Sequence, residues 1–401
     1  MHGALEGFRV LDLSQFLSGP RCTQLLAQAG AEVIKIEPPA GEAMRMLTRA
    51  TGTERMMSLV NTGKQCMVLD LKKRAAREVF RRLVKVSDVV VENFAPGTMA
   101  RFGLGYEALR AIHPGLVYAR ITGFGSTGPD ADLLAFDIVA QATGGIMDAY
   151  GIPDRPPGVF FGDLVSGAYC ANGILAALLH RYRSGLGQMV DISMQDVMYF
   201  HHFSAQCHRA LEPVQQEIRG ILGKPLDRLF SDPEDPVPFW YVYPARDGYV
   251  VVVALTDDHW NRLMVCIGRS ERVGDERFQS IVARVRNARE GVEMVASWMR
   301  ERSVDEIVQA LQRAQVPCGP VLDKAGVNRH RQLRARGMLA AAPHASQGEI
   351  PVPGCPIHLT ETPGHVGHAC PDVGTHTEPV LRNVLGLSTE EIRRLREQGA
   401  F

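Results

Sequence analysis

Apolar runs alternate with helical stretches through the first two hundred residues. Residues 10–13 form a short apolar run suited to a buried strand. Ser18-Gly19-Pro20 then opens a helix with proline in its first turn, and Gly30 stops it. Glu32-Val-Ile-Lys-Ile-Glu37 alternates as a second strand, giving a strand–helix–strand unit of the kind that builds parallel sheets. The pattern continues with a strand at 66–71 and a helix at 75–84 whose Val79, Phe80 and Leu83 share one face. Further strands fall at 88–91, ending in Glu92-Asn93, and at 116–123. The pattern predicts an α/β fold class with an open, mostly parallel sheet.

The texture then changes. Residues 218–237 are dense in Gly, Pro and Asp and read as a loop or linker. Segments 239–243 and 249–255 flank Arg246-Asp247-Gly248, a hairpin signal. Ser303 and Glu306 form a capping box ahead of one helix, and Ser388 and Glu391 ahead of the last. The expected organisation is a large domain at 1–224, a small α+β domain at 225–330, and a return of 331–401 to the large domain.

Composition narrows the class. At 401 residues, with 45% hydrophobic and 22% charged positions, a disordered, collagen-like or coiled-coil chain is excluded. Lys+Arg 44 against Asp+Glu 44 gives no basic excess, so no nucleic-acid partner is expected. The start, MHGALEGFRVLDLS, lacks the basic and apolar regions of a secretory signal, and the longest apolar stretch, 168–179, is too short for a bilayer. Eight cysteines stand singly and read as reduced thiols. The expectation is a cytoplasmic protein with no membrane partner.

Candidate chemistry follows. A dinucleotide site needs G-x-G-x-x-G in the first turn, and 14–23 contains only Gly19, although Glu37 sits where a ribose-binding carboxylate would. Asp163 precedes the apolar run 164–179, which reads as a helix; there it reads first as an N-cap, kept ionised by the helix N-terminus, a placement compatible with an Asp nucleophile. His358, His365, His368, Cys370 and His376 supply zinc-type ligands without a standard spacing, so no metal is expected. Tyr199-Phe200-His201-His202 reads as a helix end. Ser126 lies in a glycine-rich turn that is not G-x-S-x-G.

An ordered set of segments carries more than any one of these. Val10-Leu-Asp-Leu-Ser14, Gly19-Pro20, Gly30-Ala-Glu-Val-Ile-Lys-Ile-Glu37, Asn61-Thr-Gly-Lys64 and Val91-Glu-Asn-Phe-Ala-Pro-Gly97 open the set. Ile121-Thr-Gly-Phe-Gly125, Gly128-Pro129, Gly162-Asp163 and Gly185-Leu-Gly-Gln188 continue it. Val190-Asp-Ile-Ser-Met194, Val316-Pro-Cys-Gly-Pro320 and Gly374-Thr-His-Thr377 complete it. With these, the chain resembles the family III CoA-transferases from end to end.

The resemblance implies a Rossmann-like large domain, a small α+β domain and two subunits interlocked as linked rings, as a homodimer or with a paralogous subunit. It implies coenzyme A as substrate, with an acyl-CoA and a free carboxylic acid as reactants and no metal. It places the catalytic carboxylate at Asp163, CoA contacts at Lys72, Asn93, Arg101 and Phe102 with Arg45 as a further candidate, and the acyl pocket in the first loop at Gln15, Leu17 and Ser18. Formyl-CoA transferases carry Gln where Leu17 stands and a tetraglycine loop that 218–237 lacks, which points away from oxalate–formate exchange. Succinyl-CoA is the expected donor. The alternatives are an alpha-methylacyl-CoA racemase, whose second base would fall at Phe136 and is absent, and a non-catalytic subunit of a hetero-oligomer.

Overall fold

Six parallel strands form one sheet in the order β3-β2-β1-β4-β5-β6. They are β1 (Arg9–Asp12), β2 (Glu32–Glu37), β3 (Lys64–Val68), β4 (Val89–Glu92), β5 (Val117–Thr122) and β6 (Met189–Ser193). The computed structural model describes residues 3–150, 153–226 and 236–401. In register, Leu11 of β1 lies beside Ile34 on one side and Val90 on the other. Strands this rich in Val and Ile suit a sheet covered on both faces. Leu11, Ile34, Met67, Val90 and Tyr118 meet helices Arg74–Val84 and Thr389–Glu397 on one face. Val10, Val33, Val89 and Val117 meet the first helix, Ser18–Gln28, and the long helix, Phe161–Ser184, on the other. This sheet order is that of doubly wound nucleotide-binding folds, and it reverses direction between β1 and β4.

The first and long helices approach closely. A Cβ on Gly167 would stand 2.4 Å from the carbonyl oxygen of Ser18, so only glycine fits there. The free edge of β3 is covered by the returning C-terminal segment: Gly63 N–H donates to His368 O (2.8 Å), His376 N–H to Cys66 O (2.8 Å), and Val68 N–H to Thr377 Oγ1 (3.0 Å). Edge coverage of this kind blocks strand-to-strand aggregation, and it is what Gly374-Thr-His-Thr377 does structurally. Among the described residues no three His, Cys, Asp or Glu side chains are grouped to hold a metal ion.

The chain divides into two compact units, residues 1–146, 155–201 and 330–401, and residues 147–154 and 202–329. The second unit thus joins residues 147–154 to 202–329, beside the small domain expected at 225–330. Its sheet is the hairpin β7 (Trp240–Pro244) and β8 (Tyr249–Val253) with β9 (Cys318–Pro320) antiparallel beside it. Helices enclose Phe239, Tyr243, Trp260 and Phe278 against that sheet. The stretch 218–237 was expected as loop, but Gln215–Leu222 is helical; its residues 227–235 lie outside the described residues. The remaining two strands, β10 (Leu339–His344) and β11 (Gly348–Pro353), pair as a hairpin in the first unit. The 24-residue long helix is apolar enough by length and composition to cross a bilayer, yet Cys170, Ile174 and Ala177 on it are buried against the sheet.

Candidate active site

Ligands of doubly wound sheets bind outside the carboxyl ends of the strands, where the order reverses. Here that crevice is bounded by the loop after β1 (Ser14 to Leu17) and by Asn93 after β4. Asn93 joins the two sides. Its Oδ1 accepts from Gln15 N–H (2.8 Å), and its Nδ2 donates to Gln15 O (2.8 Å) and to Ser18 Oγ (3.1 Å). Gly19 is what lets this turn close, since a Cβ there would fall 2.2 Å from Ser14 Cβ.

A buried charge network holds the loop from below. Asp12 accepts from Ser14 N–H (2.9 Å), Thr23 Oγ1 (2.6 Å) and Lys64 Nζ (2.9 Å), and also from the Ser14 hydroxyl. Lys35 Nζ donates to Ser14 O (2.8 Å) and lies 3.6 Å from Glu42. Arg45 grips Glu37 with two bonds, 2.8 and 2.7 Å. Three acids (Asp12, Glu37, Glu42) thus meet three bases (Lys35, Lys64, Arg45), which leaves no net buried charge. Burial alone would raise the Asp12 carboxyl, but Lys64 and Lys35 beside it hold it at about 2. Phe16, in the middle of the loop, has φ 58, a left-handed conformation uncommon for a bulky residue. Its ring meets Phe136 edge-on with centroids 5.5 Å apart.

Asp163 stands at the third position of the long helix, whose cap is Phe160; it is not the N-cap that its position before the apolar run suggested. Its own N–H donates to Asp137 Oδ1 (2.9 Å), and its side chain is hydrogen-bonded by Ser18. Nor is it kept ionised at low pH: burial, and then the charge of Asp137, push its carboxyl up to about 7. The helix terminus loses this contest because partial burial strips solvent from the carboxyl and a second acid faces the same turn. Gln15, Asn93, Ser18 and Asp163 therefore form one hydrogen-bonded chain across the crevice.

The other expected site residues are placed as follows. Lys72 is exposed beyond β3, and its ammonium has no partner among the described residues. Arg101 is exposed, with Nη2 donating to Thr98 Oγ1 (2.8 Å). Phe102 is half-buried against the core, and Leu17 half-buried at the first helix. Arg45, the further candidate, is 6% exposed, with its guanidinium committed to Glu37 and to the sulfurs of Cys66 and Cys370. Sequence reasoning gave no role to Asp137, Asp12 or Lys64. An acid inside an apolar run, and a lysine in Asn61-Thr-Gly-Lys64, were the available signals.

Another buried acid, Glu92, lines a cavity of about 470 Å3 with Tyr118, Arg120 and Ser126. Burial raises its carboxyl to about 7. It accepts from Phe94 N–H (2.8 Å) and from the Tyr118 hydroxyl (3.1 Å).

Comparison with known proteins matches the chain to CoA-transferase family III over residues 5–377. The chain is 35% identical over 418 residues to a formyl-CoA:oxalate CoA-transferase of Streptomyces avermitilis, covering 100% of both. It is 33% identical over 398 residues to a succinyl-CoA–D-citramalate CoA-transferase of Chloroflexus aurantiacus, covering 98% of this chain and 96% of the relative. Among solved structures, a CAIB/BAIF family protein from Brucella suis superposes with a TM-score of 0.77 at 32% identity, covering 96% of this chain and 100% of that one.

Proposed function

The chain belongs to CoA-transferase family III and is a CoA-transferase, and from that premise we propose that Asp163 is the nucleophile of a covalent transfer. A carboxylate oxygen of Asp163 attacks the thioester carbonyl of an acyl-CoA. The C–S bond breaks, giving a mixed anhydride and CoA thiolate. The thiolate then attacks the aspartyl carbonyl and expels the donor acid, leaving an aspartyl-CoA thioester. A second carboxylate attacks that thioester, and the thiolate returns to the new acyl group, freeing Asp163 and a new acyl-CoA. Each covalent state conserves the activated acyl bond, provided water stays out.

The observation carrying this reading is one half-buried carboxyl at the strand-order reversal, hydrogen-bonded by Ser18 at the start of the first helix. A carboxyl raised to about 7 is a stronger base and nucleophile than an exposed one, yet is half ionised at neutral pH. Lys72 and Arg101 are proposed to meet the CoA phosphates, with Asn93 and Phe102 beside the pantetheine. Succinyl-CoA is proposed as donor and a carboxylic acid as acceptor, in keeping with the named substrate of the Chloroflexus relative. Leu17 in the first loop favours an acyl group larger than formyl. An interlocked dimer, of two identical subunits or of this chain with a paralogue, is the proposed assembly. The racemase alternative finds no support at Phe136, which caps the helix Asp137–Thr143 and packs on Phe16.

The test is a transfer assay with a panel of acyl-CoA donors and carboxylic acids, reading new acyl-CoA by mass, with parallel incubations in heavy water. Transfer that disappears with Asp163→Ala supports the proposal. Deuterium entering the α-position without transfer would replace it with racemase chemistry.

A further inference from the structure

We propose that Asp137 is a positioning residue for the nucleophile: it supplies the cap that the long helix lacks and sets a second carboxylate against Asp163, so that acylation relieves a built-in repulsion. This rests on the reading of Asp163 as the acylated group.

The geometry is specific. Phe160 at the cap position offers no side-chain acceptor to the helix N–H groups. Asp137 reaches across from its own helix and accepts the N–H of Asp163 at 2.9 Å on Oδ1. Its other oxygen accepts from Gln141 Nε2 at 2.7 Å, and the same amide donates to Val159 O at 2.8 Å. Asp137 is thereby fixed between two segments and is only 7% exposed. Gly162 makes the room: a Cβ there would stand 3.0 Å from Asp137 O and 3.1 Å from its Oδ1.

Three elements face this turn. The helix Asp137–Thr143 brings Asp137. The first helix brings the Ser18 hydroxyl and, one turn on, Arg21, whose Cβ abuts Gly167. The helix Met194–His201 brings His201, its ring 5.7 Å from Phe161 and 5.6 Å from Tyr169. Of these, Asp137 and Ser18 act on the Asp163 carboxyl, the first by repulsion and the second by a hydrogen bond. A helix N-terminus alone would stabilise the free carboxylate and weaken it as a nucleophile. Asp137 opposes that stabilisation.

The charge balance then favours reaction. When Asp163 attacks the thioester, its negative charge passes to the departing CoA sulfur, and the acyl-aspartate is neutral. The Asp137–Asp163 repulsion exists before the attack and is gone after it. The ground state is raised relative to the covalent states, and rate is gained in the step that forms them.

The experiment measures covalent CoA loading of the Asp163 peptide from pH 5.5 to 9, for wild type, Asp137→Asn and Asp137→Ala, together with kcat and KM. Asparagine keeps an oxygen for the Asp163 N–H and removes the charge. The expected result for Asp137→Asn is a loading midpoint moved to lower pH and a plateau rate three- to ten-fold lower, with KM for acyl-CoA unchanged. Asp137→Ala should show the same midpoint and a further loss of rate. Asp137→Ser, another uncharged acceptor, repeats the test should the asparagine variant fold poorly. Loading of Asp163 with an unmoved midpoint and plateau overturns the role of Asp137 alone. Loading of wild type at another residue overturns the nucleophile reading, and the positioning role with it.

Discussion

Replacing Asp163 by asparagine changes stability with pH in a way that reports its burial directly. In the fold its carboxyl is raised from an ordinary 3.8 to about 7. A group raised on folding contributes stability fully below its unfolded value, and that contribution is lost as pH climbs through its folded value. Here the loss begins near pH 4 and is complete just above pH 7. At about 1.4 kcal/mol per pH unit, the full loss is about 4 kcal/mol, of which roughly 1.7 kcal/mol has already occurred by pH 5. Asp163→Asn does not titrate, so its stability relative to wild type should grow by about 2–3 kcal/mol between pH 5 and pH 8. For a chain of about 400 residues the unfolding entropy is about 0.8 kcal/mol/K, so the gap in Tm should widen by about 3 °C. Calorimetric melts of both proteins at the two pH values measure it. Parallel pH dependence would refute the reasoning, because it would mean that Asp163 meets no more desolvation in the fold than in the unfolded chain.

Other perturbations separate the parts of the site. Asn93→Ala removes three hydrogen bonds that tie the first loop together; KM for acyl-CoA should rise more than kcat falls, with about 1–3 kcal/mol of stability lost in a denaturant titration. Gly167→Ala drives a Cβ to 2.4 Å from Ser18 O, and a loss of about 1–3 kcal/mol together with most covalent loading is expected from thermal melts and mass spectrometry. Lys72→Ala with Arg101→Ala should raise KM for acyl-CoA about ten-fold at low salt and less at high salt, leaving kcat within about two-fold. Lys64→Met strands Asp12 without its partner and should lower stability by about 3–5 kcal/mol at pH 7. That deficit should shrink toward pH 3, since the wild-type contribution is itself lost as Asp12, held at about 2, begins to protonate.

The parallel sheet was readable because its strands are short Val- and Ile-rich runs cut by Gly30 and by helices with a clear apolar face. Both capping boxes, at Ser303 and Ser388, are formed, since the signal and its cause lie within four residues. Gln215–Leu222 escaped because nearby Gly and Pro masked its helical period. Arg45 shows a deeper limit: a basic residue after a strand reads the same whether it faces a phosphate or Glu37. Asp163 was misplaced for a related reason. Its neighbours along the chain predict a cap, whereas its chemistry is set by Asp137 and Ser18, 26 and 145 residues away in sequence. Contacts of that range leave no local period to read.

Covalent catalysis at Asp163 is tested most directly by peptide mapping after incubation with succinyl-CoA and brief quenching with hydroxylamine. A hydroxamate on Asp163 is expected, formed only with donor present and lost when a carboxylate acceptor is added first. An unmodified Asp163 during rapid transfer, or a hydroxamate on a different carboxylate, would contradict it.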